Sequence, residues 1–223
     1  MSTPDQALST QDSGPVFVSR GGLKLHHALS DFNVDPTGLL CADFGCSTGG
    51  FTDCLLQHGA KCVHSIDTAY GEFAWKLRTD DRVVIHERSN ALHLDPASEV
   101  VEQGGIDLGV IDLGWTRQSR ALHAAARWLK PDGRIISLVK PHYEAEKSEL
   151  GDGGILDPDR AQEIAETVRD SLADLGYSVQ DWTKSPVLGG KMKKGKPRGK
   201  GNPEWLVLVS SKYSIDNPPQ AHI

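Results

Sequence analysis

Apolar positions along the chain fall into two alternating rhythms. Short apolar runs bounded by Gly, Pro, Asn or Asp recur at residues 39–44, 62–67, 83–85, 106–113, 135–139, 177–183 and 204–210. Runs of that length with that punctuation predict strands. Between them apolar side chains repeat with the helical period. Leu25, Ala28, Leu29 and Phe32 make one stripe within residues 21–32, which Ser19 is placed to cap. Residues 51–58 give a second helix closed by Gly59, and Leu122, Ala125, Ala126 and Leu129 stripe a third. Asp157-Pro158 opens a long helix whose period runs through Ala161, Ile164, Ala165, Val168, Leu172 and Leu175 to Gly176. Lys130-Pro131-Asp132-Gly133 reads as a turn.

Strands alternating with helices predict an α/β fold whose parallel sheet is covered on both faces, and the nearly unbroken apolar run at 106–113 suits a central strand. The last two strands have no helix between them, so they pair antiparallel. If the final strand opposes the others, its first residue, Glu204, emerges where the parallel strands end. Asp43, Asp67, Asp112 and Lys140 end strands at that same rim, which is where open α/β sheets bind ligands. Asp112 could instead cap the next helix. Lys24 borders its apolar stripe and can either snorkel to solvent or point into a neighbouring cleft.

The stretch Asp43-Phe44-Gly45-Cys46-Ser47-Thr48-Gly49-Gly50-Phe51 reads as a strand end, a glycine turn and a helix N-terminus. Gly45 allows a sharp turn, and Gly49 and Gly50 leave the main chain open to a ligand. No Gly-Lys-Ser/Thr follows, which excludes a triphosphate-cradling loop, and the spacing departs from the dinucleotide pattern. An adenosine ligand without a pyrophosphate fits better, with Asp43 accepting from an amino group and Asp67 placed for ribose hydroxyls. S-adenosylmethionine is such a ligand. The competing reading is an empty surface loop.

The chain's 223 residues, 38% apolar and 24% charged, allow one large soluble α/β domain. No apolar run reaches the ~20 residues of a membrane span. Residues 1–15 are polar, fit no signal or transit peptide, and read as a disordered leader; 214–223 read as a flexible tail. Cys41, Cys46, Cys54 and Cys62 lack a Cys-x-x-Cys spacing, which points to a reduced, cytoplasmic setting and argues against a metal site. The net charge of −6 argues against nucleic acid until its distribution is considered. Lys191, Lys193, Lys194, Lys196, Arg198 and Lys200 crowd one ten-residue run without an acid, leaving 18 basic against 30 acidic residues elsewhere. Such a run either attracts phosphates or is a solvated charge cluster.

Several motifs in order carry a resemblance: Ser19-Arg20-Gly21-Gly22-Leu23-Lys24-Leu25, the turn through Phe51-Thr52-Asp53, Tyr70-Gly71, Arg88-Ser89-Asn90-Ala91, Leu138-Val139-Lys140-Pro141 and Gly153-Gly154-Ile155. Together, over about residues 16–211, they resemble the FtsJ-like ribosomal RNA methyltransferases, especially the TlyA (hemolysin A) branch. The resemblance implies a class I, Rossmann-like, seven-stranded sheet with one antiparallel strand, S-adenosylmethionine as cofactor and a ribose 2'-hydroxyl as target. It also implies a Lys-Asp-Lys-Glu tetrad, carried here by Lys24, Asp112, Lys140 and Glu204. To act as a base Lys140 would need a pKa lowered by burial and by Lys24; otherwise it anchors the reacting oxygen. Cofactor contacts are expected from Asp43, Gly45, Ser47, Thr48, Gly49, Gly50, Phe51, Asp67, Asn90 and Asp112, and RNA contacts from Arg20 and the basic run. Two departures stand out. An S4-type domain, usual ahead of the catalytic domain in this branch, has no counterpart in the short leader, so the basic loop at 189–202 is expected to grip RNA. The segment after Asp112 is Leu113-Gly114-Trp115-Thr116-Arg117, in which Trp115 either stacks on a base or is buried. Alternatives are a non-catalytic RNA-binding assembly factor, or a methyltransferase for a non-RNA substrate.

Overall fold

The computed structural model describes residues 15–190 and 201–220. In chain order they form α1 (Gly21–Asp31), β1 (Leu40–Phe44), α2 (Gly50–Gln57), β2 (Cys62–Ile66), α3 (Trp75–Arg78), β3 (Val83–His86), α4 (Ser98–Glu102), β4 (Ile106–Ile111), α5 (Gln118–Ala126), β5 (Leu129–Val139), α6 (Pro141–Glu144), α7 (Pro158–Ser171), β6 (Tyr177–Lys184) and β7 (Trp205–Ser211). The sheet has the order β3-β2-β1-β4-β5-β7-β6. Only β7 runs against its neighbours, pairing antiparallel with both β5 and β6. The fold expected from the alternating pattern is therefore the fold observed.

Each sheet face carries its own core. Leu25, Ala28 and Leu29 of α1 and Phe51 and Leu55 of α2 pack on Cys41, Val63, Leu108 and Ile136. On the other face Leu122 and Ala125 of α5 and Ile164 and Ala165 of α7 pack on Ala42, Phe44, Ile135 and Val207. Neighbouring residues of one strand serve opposite layers, which is why β1 is buried at all five positions. Burial of both faces leaves only the strand ends free for ligands.

Four local expectations need correction. Ser19 does not cap α1; Arg20 occupies the cap position without a side-chain bond, and the Ser19 carbonyl accepts from Gly22 N. The predicted turn at Lys130–Gly133 lies inside β5, where the pairing jumps from Ile106 with Leu129 to Leu108 with Arg134. Cross-strand pairing overrode the Pro-Asp-Gly turn chemistry and absorbed the extra residues as a bulge. The long helix ends at Ser171 rather than running to Leu175, although Asp157 caps it as expected by accepting from Asp159 N and Arg160 N. The segment predicted as a flexible tail is docked where it begins: Ile215 N bonds Leu129 O, Ser214 is buried, and Ile215 packs on the core. The predicted leader, apart from Pro15, and the basic residues 191–200 lie outside the described residues.

Candidate active site

The turn after β1 is built from conformations that side chains resist. Gly45 has φ of +94°, and a Cβ on it would stand 2.9 Å from the Asp112 carbonyl oxygen. Glycine there lets the ends of β1 and β4 approach. The other two glycines are packed closely as well. A Cβ on Gly49 would lie 2.4 Å from Leu77 Cδ1, and one on Gly50 2.1 Å from Ser19 Oγ and 2.9 Å from Gly22 N. Both make room for neighbouring protein, and Gly50 is what lets α1 sit against α2.

This close approach carries Lys24 over the rim. A cavity of about 930 Å³ opens there, walled by Lys24, Asp67, Asn90, Asp112, Lys140 and Glu204 among others. A second hollow of about 500 Å³ shares Lys24, Gly45, Ser47 and Asp112 with it and reaches Arg20, Thr48, Gly50 and Phe51. Lys24 is 8% exposed and its Nζ lies 2.5 Å from Glu204 Oε2, so the cleft-pointing alternative is the one observed. Lys140 Nζ lies 2.5 Å from Asp112 Oδ1 and donates to the Leu113 carbonyl at 3.0 Å. Asp112 thus pairs with a lysine and does not cap α5, whose cap position is Arg117. One buried cation–carboxylate pair and one half-buried pair face one cavity.

Electrostatics distinguish the members. Burial works to lower the Lys140 pKa, but the Asp112 carboxylate, with Glu204 and Tyr143, outweighs it and leaves the group above its usual value. Of the two alternatives for Lys140, a raised pKa suits the charged anchor rather than the neutral base. Burial raises the Glu204 carboxyl, opposed by Lys24. Asp43 is fully buried and lines neither cavity; burial pushes it up to about 7 although its Oδ2 accepts from Thr52 N and Oγ1. Its Oδ1 is buried without a partner. Asp67 accepts from Ser47 N and Ala69 N at 2.8 Å each, tying the glycine turn to the next loop. Asn90 Oδ1 accepts from Leu92 N and braces the cavity wall. Arg20 donates to the Gly190 carbonyl at 2.6 Å, beside the start of the basic run.

Other wall residues were not singled out by sequence. His142 follows the Lys140-Pro141 stop, and burial beside Lys140 and Lys24 lowers its pKa to about 4. Tyr143 packs against Trp115 in a tilted arrangement with ring centroids 4.9 Å apart, and its ring centroid lies 5.5 Å from Lys140 Nζ. Trp115 is 88% exposed, which overturns the buried-aromatic alternative, and it holds φ of +54°. The family's Lys-Pro signal marked this neighbourhood without specifying these rings.

Comparison with known proteins places the chain. The model of the FtsJ-like methyltransferase family matches residues 17–194. The chain belongs to that family. It is 37% identical over 204 residues to YqxC of Bacillus subtilis (strain 168), described as a candidate rRNA methyltransferase, covering 91% of this chain and 69% of that protein. It is 41% identical over 180 residues to the 16S/23S rRNA (cytidine-2'-O)-methyltransferase TlyA of Mycobacterium tuberculosis, covering 80% and 66%. A solved structure from Lactococcus lactis, described as a candidate hemolysin, superposes with a TM-score of 0.76 at 36% identity, covering 92% of both chains. The chain thus spans about two thirds of the length of these curated relatives.

S-adenosylmethionine is the methyl donor of the family, and the residues present suit it. Asp67 keeps acceptor capacity beyond its two backbone bonds, as a ribose partner requires. The unpartnered Asp43 Oδ1 lies beneath the same turn. Among the described residues no helix is long and apolar enough to cross a membrane, and no cluster of His, Cys, Asp and Glu could hold a metal ion.

Proposed function

We propose that this protein methylates the ribose 2'-oxygen of ribosomal RNA, with Lys24, Asp112, Lys140 and Glu204 as its catalytic residues. The reading rests on two ion pairs, the buried Lys24–Glu204 and the half-buried Lys140–Asp112, facing one open cavity beside the glycine turn. The relatives named as rRNA methyltransferases point to the same substrate class.

The chemistry asks little beyond orientation. A sulfonium donor supplies an activated methyl group, so no leaving group needs a proton, and the protein has to aim a weakly nucleophilic hydroxyl. Lys140 does this as an ammonium that donates to the ribose oxygen and stabilises negative charge as the proton leaves to water. Asp112 and Glu204 hold the two ammonium groups in place. Gly45, Ser47, Asp67, Asn90 and Asp112 border the cofactor's side of the cavity, and Thr48, Gly50 and Phe51 border the adjoining hollow, whereas Asp43 and Gly49 support it from beneath. Trp115, exposed over Tyr143, offers a face for an unstacked base, which ribose chemistry on RNA requires. Arg20 and the basic run contribute phosphate contacts that fix register.

The test is methyl transfer from labelled S-adenosylmethionine to isolated ribosomal subunits, followed by mapping of ribose methylation. Lys140→Ala should bind S-adenosylhomocysteine as tightly as wild type and lose transfer. Transfer by that variant at the wild-type rate would refute the tetrad. An ammonium anchor also predicts a rate level between about pH 7 and 9, whereas a lysine base titrating above that range predicts about tenfold per pH unit. Deleting residues 191–200 should weaken RNA binding and flatten its dependence on salt.

A further inference from the structure

Glu204 is 3% exposed in a channel of the cavity wall, where the uncharged Asn202 and Gly189 pack about it as well as Lys24. The segment leading into it, residues 201–204, belongs to no strand, so something other than sheet pairing must hold it. Asn202 does so through three bonds. Its Oδ1 accepts from Leu156 N at 2.8 Å, its Nδ2 donates to the Gly154 carbonyl at 2.9 Å, and its own carbonyl accepts from Gly189 N at 2.9 Å. The side chain is 7% exposed, so these bonds form away from water. One carboxamide therefore fastens the approach to Glu204 onto the loop of Gly153, Gly154 and Ile155 that walls the same cavity.

The opposite side is shaped by Gly189. A Cβ built there would stand 2.1 Å from Glu204 Oε1, while its φ lies outside the left-handed region that only glycine favours. The missing side chain is thus room for the carboxylate, not freedom for the backbone. Gly201 packs as tightly, since a Cβ on it would meet the Gly189 carbonyl. Asn202 sets how far along the channel Glu204 stands, and Gly189 sets how deep its carboxylate lies.

We infer that Asn202 and Gly189 are positioning residues for the reaction, acting through Glu204 to fix the Lys24 ammonium against the acceptor ribose. The assignment deepens the proposed function and rests on it for the identity of the acceptor. Only a carboxamide serves at 202. Aspartate loses the donor and sets its charge against the Gly154 carbonyl, and alanine leaves both Leu156 N and the Gly154 carbonyl unpaired. At 189 an alanine has an allowed backbone, so the atom that yields is the Glu204 carboxylate.

Three single variants, Asn202→Asp, Asn202→Ala and Gly189→Ala, test this beside Glu204→Gln and the double variants combining it with Asn202→Ala and Gly189→Ala. Single-turnover methyl transfer to ribosomal subunits should fall about 10- to 100-fold in each single variant, the range a misplacement of ~1 Å produces. Affinity for S-adenosylhomocysteine should stay within about twofold, since these residues act on the acceptor side. Residues that act through Glu204 lose their effect once it is gone, so adding Asn202→Ala or Gly189→Ala to Glu204→Gln should lower the rate no further. Full additivity, or wild-type rates in the single variants, would overturn the inference. If the wild-type protein transfers no methyl group to any ribosomal RNA, the proposed function fails instead. The inference is then read by denaturant titration of the same variants, where Asn202→Ala and Glu204→Gln must show coupled rather than additive losses of stability.

Discussion

Replacing Lys24 by methionine keeps most of the side-chain volume and removes the cation facing Glu204. In the native protein the ion pair is 2.5 Å long, with side chains 10% and 3% exposed, so neither charge is shared with bulk water. Removing one partner of such a pair leaves an uncompensated buried charge, at a cost of about 3–5 kcal/mol. For a chain of this length that is a fall in melting temperature of about 6–20 °C. The loss should depend on pH, because Glu204 can escape by taking a proton. Burial already raises its pKa and Lys24 is what opposes the rise, so the variant's carboxyl moves further up. A carboxyl whose folded pKa exceeds its unfolded value carries its full penalty above the folded pKa. The penalty is relieved as pH falls through that value, where the folded state binds the extra proton. Thermal and denaturant unfolding at pH 8 and pH 5 would therefore show a large deficit at pH 8 that shrinks by about 1.4 kcal/mol per pH unit below the new pKa. Adding Glu204→Gln should restore much of the stability at pH 8. An equal deficit at both pH values, or one under about 1 kcal/mol, would refute the claim that the pair is buried and mutually dependent.

Gly50→Ala should destabilise the protein by about 1–3 kcal/mol through overpacking, because the new methyl meets Ser19 Oγ and the backbone nitrogen of Gly22; an unchanged melting temperature would show that α1 is not seated on α2 as described. His64, stacked on His86 and lowered by burial to about 4, stays neutral while the unfolded chain protonates. Its contribution to stability should fade as pH drops from 6.5 towards 4, by on the order of 3 kcal/mol at most. A shallower acid slope in His64→Phe checks this, and an identical slope counts against it. Trp115→Ala should leave the melting temperature within about 1 °C, since the ring is 88% exposed, while raising the concentration of ribosomal RNA needed for half-maximal transfer. A large stability loss there, with RNA affinity unchanged, would make the ring a packing element.

How much of this was legible in the sequence depends on the length scale of the cause. Central strands were readable because burial on both faces turns residues 106–111 into a nearly continuous apolar run, and the antiparallel position of β7 followed from the missing crossover helix. The rim followed from topology in the same way, so Asp112, Lys140 and Glu204 could be placed before any coordinate was known. Lys24 could not, because one helical position is compatible with two side-chain directions. Resolving it takes the distance between α1 and β7. The short helices α3, α4 and α6 contain at most five residues, too few for a period to declare itself. Lys130 to Gly133 misled because a favourable turn sequence lost to pairing along β4 and β5.

The glycines make the same point about function. In sequence Gly49 and Gly50 look like room for a ligand, and Gly189 is only the first residue of the basic loop. In the fold Gly49 makes room for Leu77, Gly50 for α1 and Gly189 for the Glu204 carboxylate. Gly50 lets α1 bring Lys24 to the rim, and Gly189 leaves room for the carboxylate of its partner. The 2.5 Å pair that joins them bridges residues 180 positions apart. A motif scan finds the charged ends of that pair. The small residues that let the ends meet are identified only by the atoms a methyl group would strike, which is why their substitution by alanine separates a positioned carboxylate from one that is merely present.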